Sequence, residues 1–337
     1  MSDGRGVDAA DATPIRVGII GCGGMGSWHA GNVAAQPGLT VVAAADVVPA
    51  AAEAVATRFG ARVDEPDAVA VADDVDAVVI ASSDDSHARY AVPAIADGKG
   101  CLLEKPLGST MAQADEILAA EVAAGRRLVR LGFMRELDPA HVQVAAHLAE
   151  LGPVTSIRGV HRNLDPSLRP VEMLITQSLI HDIHTVRWLT GSEIDSVRAH
   201  VVGRSDGFRD VLLVCTIASG AVATLAFEDQ AFGYEVQVEV TAEGGMAATL
   251  PHPRAVRRSA EVETLTVGAD WFGRFEDAYR LEVEAWAADL SAGVATGPSV
   301  WDGYAAQAVA DAALVAVDSG AEEPVTLPPR PALYGGS

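Results

Sequence analysis

Short apolar runs alternate with amphipathic stretches from residue 15 to about residue 134. Their periods predict strands at Arg16–Ile20, Thr40–Ala45, Ala77–Ala81, Gly100–Leu103 and Leu128–Gly132. Between them they predict helices near Trp28–Gln36, Ala50–Phe59, His87–Ala96 and Met111–Ala124, with Pro49 suited to open one helix and Gly98 to close another. Strand and helix in turn is the rhythm of a doubly wound parallel sheet. The pattern changes after Asp138-Pro139. A helix over Ala140–Leu151 leads to a strand at Thr155–His161, and a long helical segment runs from about Glu172 to Leu189. Strands then dominate, at Ser196–Val202, Val211–Ile217, Val222–Phe227 and Tyr234–Thr241, with Ser219-Gly220 as a hairpin turn. Tyr234 to Val240 alternates cleanly, so one face of its sheet is packed and the other is wet or forms an interface. Helices over about Phe275–Ala292 and Gly303–Ser319 close the chain. The expectation is an α/β protein with a flexible leader over 1–14, a doubly wound domain over 15–134, and a second α/β domain over 135–337 with an open, mostly antiparallel sheet.

Composition narrows the function classes. The 337 residues carry 46 acidic against 24 basic side chains, a net charge of −22, which repels nucleic acid and anionic membranes. Apolar residues make up 49% of the chain, as in a globular protein, and no apolar run is long enough to span a membrane. The three cysteines, Cys22, Cys101 and Cys215, fit neither a disulfide framework nor a zinc site. A reducing, cytoplasmic compartment is expected.

The sharpest motif follows the first strand. Val17-Gly-Ile-Ile runs into Gly21-x-Gly23-x-x-Gly26 and then a helix-compatible stretch. Such a turn presents backbone N–H groups and the positive end of a helix dipole to a pyrophosphate. The second strand ends in Asp46, 20 residues after Gly26, where a carboxylate can bond a ribose 2′-hydroxyl. Val47, Val48 and Pro49 offer nothing to a 2′-phosphate, so NAD is favoured over NADP.

A dinucleotide implies hydride transfer, and the chain must then hold a carbinol and take its proton. Glu104-Lys105-Pro106 follows a predicted parallel strand, at the sheet edge where ligands bind. Lys105 is one of only two lysines, with Lys99, and its ammonium can stabilise a developing alkoxide. On a regular helix Gln177, His181 and His184 share a face. His181 suits general-base work, whereas His184 reads as a packing residue. The pair lacks a third ligand at zinc-site spacing, so no metal is expected.

These residues resemble the Gfo/Idh/MocA oxidoreductases, and within them the inositol 2-dehydrogenases. The marks are the Gly21–Gly26 turn, Ala81-Ser-Ser-Asp-Asp-Ser-His87, the Glu104-Lys105-Pro106 run, Gly132-Phe-Met-Arg135, His161-Arg-Asn163, the His181 segment and Trp301-Asp-Gly303. The resemblance implies a Rossmann domain and a polyol or sugar substrate. It also implies a homo-oligomer, often a tetramer built by packing sheet faces. It implies cofactor contacts from Gly21, Gly23, Gly24, Met25, Gly26, Asp46, Ser82, Ser83, His87, Glu104 and Lys105. Arg135, His161, Asn163, Gln177, His181 and Tyr234 would line the substrate site. Lys105 and His181 would handle the proton, with Gln177 beside them. Two departures stand out: Gln177 and His184 occupy positions where the family usually carries Asp. Neutral Gln177 should leave His181 a weaker base or shift proton transfer toward Lys105. The alternatives are a sugar or sugar-phosphate dehydrogenase, with Arg158, Arg162 or Arg169 serving a phosphate, and a non-catalytic nucleotide sensor.

Overall fold

The computed structural model describes residues 13–164, 167–229, 233–250, 256–259, 262–265 and 270–335. Most of the expected leader lies outside them. The first half is a six-stranded parallel sheet in the order β3-β2-β1-β4-β5-β6. It is built from β1 (Ile15–Ile20), β2 (Leu39–Ala45), β3 (Arg62–Val63), β4 (Ala77–Ile80), β5 (Gly100–Leu103) and β6 (Val129–Leu131). The connecting helices are α1 (Gly24–Ala35), α2 (Pro49–Phe59), α3 (Pro66–Val71), α4 (His87–Ala96) and α5 (Met111–Ala124). The inner strands are apolar throughout because helices cover both faces; β4, Ala77–Ile80, is buried at every position. The sequence pattern missed β3 and α3, which are two and six residues long and leave little periodic signal.

Helix α1 starts within the glycine fingerprint, four residues before the predicted start. Gly21 adopts φ +88°, and a Cβ there would lie 2.5 Å from the Ala81 backbone. A Cβ on Gly26 would lie 1.7 Å from the Gly21 carbonyl oxygen, so close packing of helix on turn demands glycine at both positions.

The second sheet has seven strands in the order β12-β11-β7-β10-β9-β8-β15. Its members are β7 (Val154–Arg162), β8 (Ile194–Gly203), β9 (Arg209–Ile217), β10 (Val222–Glu228), β11 (Glu235–Ala242), β12 (Gly245–Ala248) and β15 (Glu322–Pro324). All neighbours pair antiparallel except β10 with β7, which is parallel. A separate hairpin joins β13 (Val256–Ser259) to β14 (Val262–Leu265). The Ser219-Gly220 turn joins β9 to β10, with Gly220 at φ +90°. Val197, Leu213, Ala223 and Leu225 face the core, while Leu212, Val214, Val222 and Ala226 share the outer face.

The helices of this half are α6 (Pro139–Leu151), the single turn α7 (Val171–Met173), α8 (Ile180–Thr190), α9 (Trp271–Ala292) and α10 (Val300–Ser319). Between α7 and α8, Leu174–Leu179 is π-helical. Helix α9 returns to the first half: Val283, Trp286 and Ala287 pack with Val17, Ile19, Val79 and Leu102. Helix α10 opens on a reciprocal cap between Ser299 and Asp302. Among the described residues, no helix is long and apolar enough to cross a membrane.

Candidate active site

A cavity of about 310 Å³ lies where the carboxyl ends of β1, β4 and β5 face β7 and the π-helical turn. Lys105, at the end of β5, reaches across it, and its Nζ donates to the main-chain oxygen of Gln177 at 3.1 Å. His181 lines the same wall, as do Met25, Ser82, Glu104, His161, Asn163, Gln177 and Tyr234. The structure thus brings together residues far apart in the chain, from Met25 to Tyr279. Lining residues given no site role by the motifs are Asp84, Met134, Ser178, Trp271 and Tyr279, and Arg169, named as a possible phosphate ligand, lines the wall too. Asp84 stood inside a quoted motif; for Trp271 and Tyr279 no sequence signal marks the approach of α9 to this cavity.

Burial sets the charge of the pair. The His181 imidazole is pushed well below its ordinary range by burial first, then by the charges of Lys105 and Arg135. Its Nδ1 is enclosed without a hydrogen-bond partner. The weak basicity expected from neutral Gln177 therefore has a different main cause, loss of solvent. The Lys105 amine is also lowered by burial, while Glu104 and Asp84 push it back up.

His161 is held from behind. Asp182 bonds Arg135 Nη1 at 2.7 Å and His161 Nδ1 at 3.0 Å. A carboxylate accepts only, and its contact is shorter than the 3.4 Å approach of Arg135 Nη2, so the proton is assigned to Nδ1 and Nε2 is left as an acceptor. Burial would raise the Asp182 carboxyl, but Arg135 and His161 hold it down to about 2.

Two expected contacts, His87 and Arg135, are placed off the cavity wall. His87 is fully buried, with Nδ1 at the Pro106 carbonyl (2.8 Å) and Nε2 at the Ser82 carbonyl (3.3 Å); it props two loops and does not line the cavity. Arg135 is 2% exposed and stands behind His161, not on the cavity wall. His184 sits as the packing residue expected, on α8 with His181, and both rings touch Phe133. Its ring stacks on Phe133, with centroids 4.0 Å apart, and its Nε2 meets Glu136 at 2.8 Å.

Below the cavity, Glu104 accepts from His29 Nε2 at 2.8 Å. Glu282 on α9 comes close to both, within 4.8 Å by ligand atoms, and is 1% exposed with Oε2 unpartnered. Burial, then Glu104, drives its carboxyl well above the usual range. The folded chain therefore holds a proton that the unfolded chain releases. That contribution to stability is fully present below the unfolded pKa and is lost as pH rises toward the folded one, by about 1.4 kcal/mol per pH unit. Glu282→Gln removes the titration. Its stability relative to wild type should grow between about pH 5 and about pH 8. Urea midpoints at the two pH values check this, and a constant difference would refute it.

The glycine turn fits a dinucleotide. A Cβ on Gly23 or Gly24 would meet nothing within 4 Å, so both face open space beside the start of α1. Asp46 is oriented at the end of β2 by the main-chain N–H groups of Cys22 (2.6 Å) and Val48 (2.7 Å). Each oxygen keeps lone pairs for a ribose hydroxyl.

Fold and cavity together define an NAD-binding Rossmann oxidoreductase. Residues 15–133 match the Gfo/Idh/MocA oxidoreductase family with its NAD-binding Rossmann fold, and residues 142–248 match the C-terminal domain of that family. The chain belongs to the Gfo/Idh/MocA family. It is 38% identical over 333 residues to inositol 2-dehydrogenase 2 of Saccharopolyspora erythraea, covering 95% of this chain and 98% of that one. It is 40% identical over 312 residues to the inositol 2-dehydrogenase of Acidothermus cellulolyticus, covering 89% and 91%. The crystal structure of myo-inositol dehydrogenase from Lactobacillus casei, in complex with NAD(H) and myo-inositol, superposes with a TM-score of 0.91 at 28% identity, covering 95% of this chain and 99% of that one.

Proposed function

We propose that the protein oxidises a secondary hydroxyl of a cyclitol such as myo-inositol to the ketone, with NAD as hydride acceptor. The observation that carries this reading is the convergence of Lys105 and His181 on one cavity beside the open side of the glycine turn. The names of the relatives support the substrate class.

When bound, the nicotinamide would supply the hydride-accepting carbon. The chain supplies the rest. The Lys105 ammonium bonds the reacting oxygen and stabilises its developing negative charge. Neutral His181 takes the hydroxyl proton. His161, through Nε2, and Asn163 and Tyr234 bond the remaining hydroxyls. Arginines near the cavity favour an uncharged substrate over a phosphate. Arg162 is spent on Glu228 and Glu235, both at 2.7 Å, Arg169 meets Asp229 at 3.1 Å, and Arg158 is exposed. We also propose a homo-oligomer that covers the outer sheet face bearing Leu212, Val214, Val222 and Ala226.

Incubation with NAD and a panel of cyclitols and hexoses tests the reading by absorbance of the reduced cofactor. Cyclitols should give the fastest reduction; no reduction of NAD or NADP by any polyol or sugar would overturn it. In the same assay Asp46→Ala should narrow the preference for NAD over NADP. An unaltered ratio would remove Asp46 from ribose recognition.

A further inference from the structure

Three carboxylates bear on Lys105 and the histidines around it. Glu104 is tied to His29 at 2.8 Å, and Asp182 is tied to Arg135 and His161 at 2.7 and 3.0 Å. Asp84 differs. It sits half-buried in the cavity wall on the 3-10 turn Asp84–Ser86, and its Oδ2 accepts from the uncharged Gln177 Nε2 at 2.9 Å. Its neighbour Asp85 is exposed and outside the cavity. Because a carboxylate cannot donate, Gln177 must turn its NH₂ to Asp84. The main-chain oxygen of the same Gln177 accepts from Lys105 Nζ at 3.1 Å. Asp84, Gln177 and Lys105 thus form one connected chain across the ends of β4, the π-helical turn and β5.

We infer that Asp84 is a positioning residue for the reaction proposed above: through Gln177 it aims the Lys105 amine at the reacting hydroxyl, and its negative charge balances the ammonium. The inference rests on that reading for the identity of the reaction. The charge argument follows from the groups around Lys105. Burial disfavours the ammonium, Glu104 from its own strand and Asp84 from the turn after β4 favour it, and Arg135 from beyond β6 opposes it. His161 and His181, facing from β7 and α8, are held toward their neutral forms by burial. Glu104 already serves His29, so Asp84 is the carboxylate whose removal changes the charge at Lys105 without breaking another ion pair.

The chain makes the test direct, because it has only two lysines. Protein labelled with ¹³C,¹⁵N-lysine gives two side-chain signals, and Lys105→Met assigns them. Asp84→Asn keeps the shape and a hydrogen bond to Gln177 but removes the charge. It should lower the Lys105 titration midpoint by about one pH unit. Lys99, held by the Ala72 and Val75 carbonyls at 2.8 Å, should not move. The isosteric exchange Asp84→Asn with Gln177→Glu puts the carboxylate at the other end of the same hydrogen bond and should restore the midpoint. In the polyol assay, the basic limb of the pH profile should follow the same shifts, while the acidic limb, set by His181, should stay in Asp84→Asn, where Gln177 is kept. A Lys105 midpoint unmoved by Asp84→Asn, or not restored by the exchange, overturns the inference. Absence of polyol oxidation by wild type would overturn the reaction instead, and the lysine titration would still decide the role of Asp84.

Discussion

Lys105→Ala and His181→Ala should each lower turnover by ~10²–10⁴-fold, with NAD affinity nearly unchanged. Lys105 is the cation that reaches the cavity from the end of β5, and His181 is the imidazole that lines the same cavity. Neither belongs to the glycine turn that would hold the pyrophosphate. The acidic limb of the wild-type pH profile should lie well below the ordinary histidine range, because burial and the Lys105 and Arg135 charges keep His181 neutral. That limb should vanish in His181→Ala. Steady-state kinetics with a cyclitol, together with NAD binding by fluorescence, checks both statements. Full activity in either variant would remove that residue from the mechanism.

Removing Asp182 should have the largest effect on stability. Its carboxylate is the partner of Arg135, which is 2% exposed, and of His161, 4% exposed. Asp182→Ala leaves a buried guanidinium without a counter-charge and should cost about 3–5 kcal/mol. Asp182→Asn keeps the shape and some hydrogen bonds and should cost less. The sign with pH follows from a folded pKa of about 2. The contribution is present above the unfolded value and is lost as pH falls from about 4 to about 2, roughly 2.5 kcal/mol in all. Urea denaturation at neutral and acidic pH measures both effects. A loss under 1 kcal/mol in Asp182→Ala would show that Arg135 finds another partner.

The parts of the fold with strong local signals were legible before any coordinates. Ile15–Ile20 followed by glycines at 21, 23 and 26 reads as strand, turn and helix because that turn tolerates only glycine at 21 and 26. The alternation of Glu235–Ala242 reads as a half-covered strand because side chains on a strand point to opposite faces in turn. Lys105 could be placed at the ligand edge of the sheet from its position after β5 alone. The strands and the helix that were missed, β3, α3, β12, β13, β14 and β15, are short, and short segments carry too few residues to show a period.

Within one segment, sequence determines the period, the turns and the chemistry available: a dinucleotide fingerprint, an acid at 46, an amine at 105 and an imidazole at 181. Only the tertiary structure decided which of these side chains face one another. His184 stacks on Phe133, α9 brings Tyr279 to the cavity and Glu282 beside Glu104, and Asp84 meets Gln177 across 93 residues. Such meetings depend on long-range packing and on the loss of solvent it brings. Neither leaves a mark in local residue spacing, yet together they set the charge state of every group in the cavity that a reaction can use.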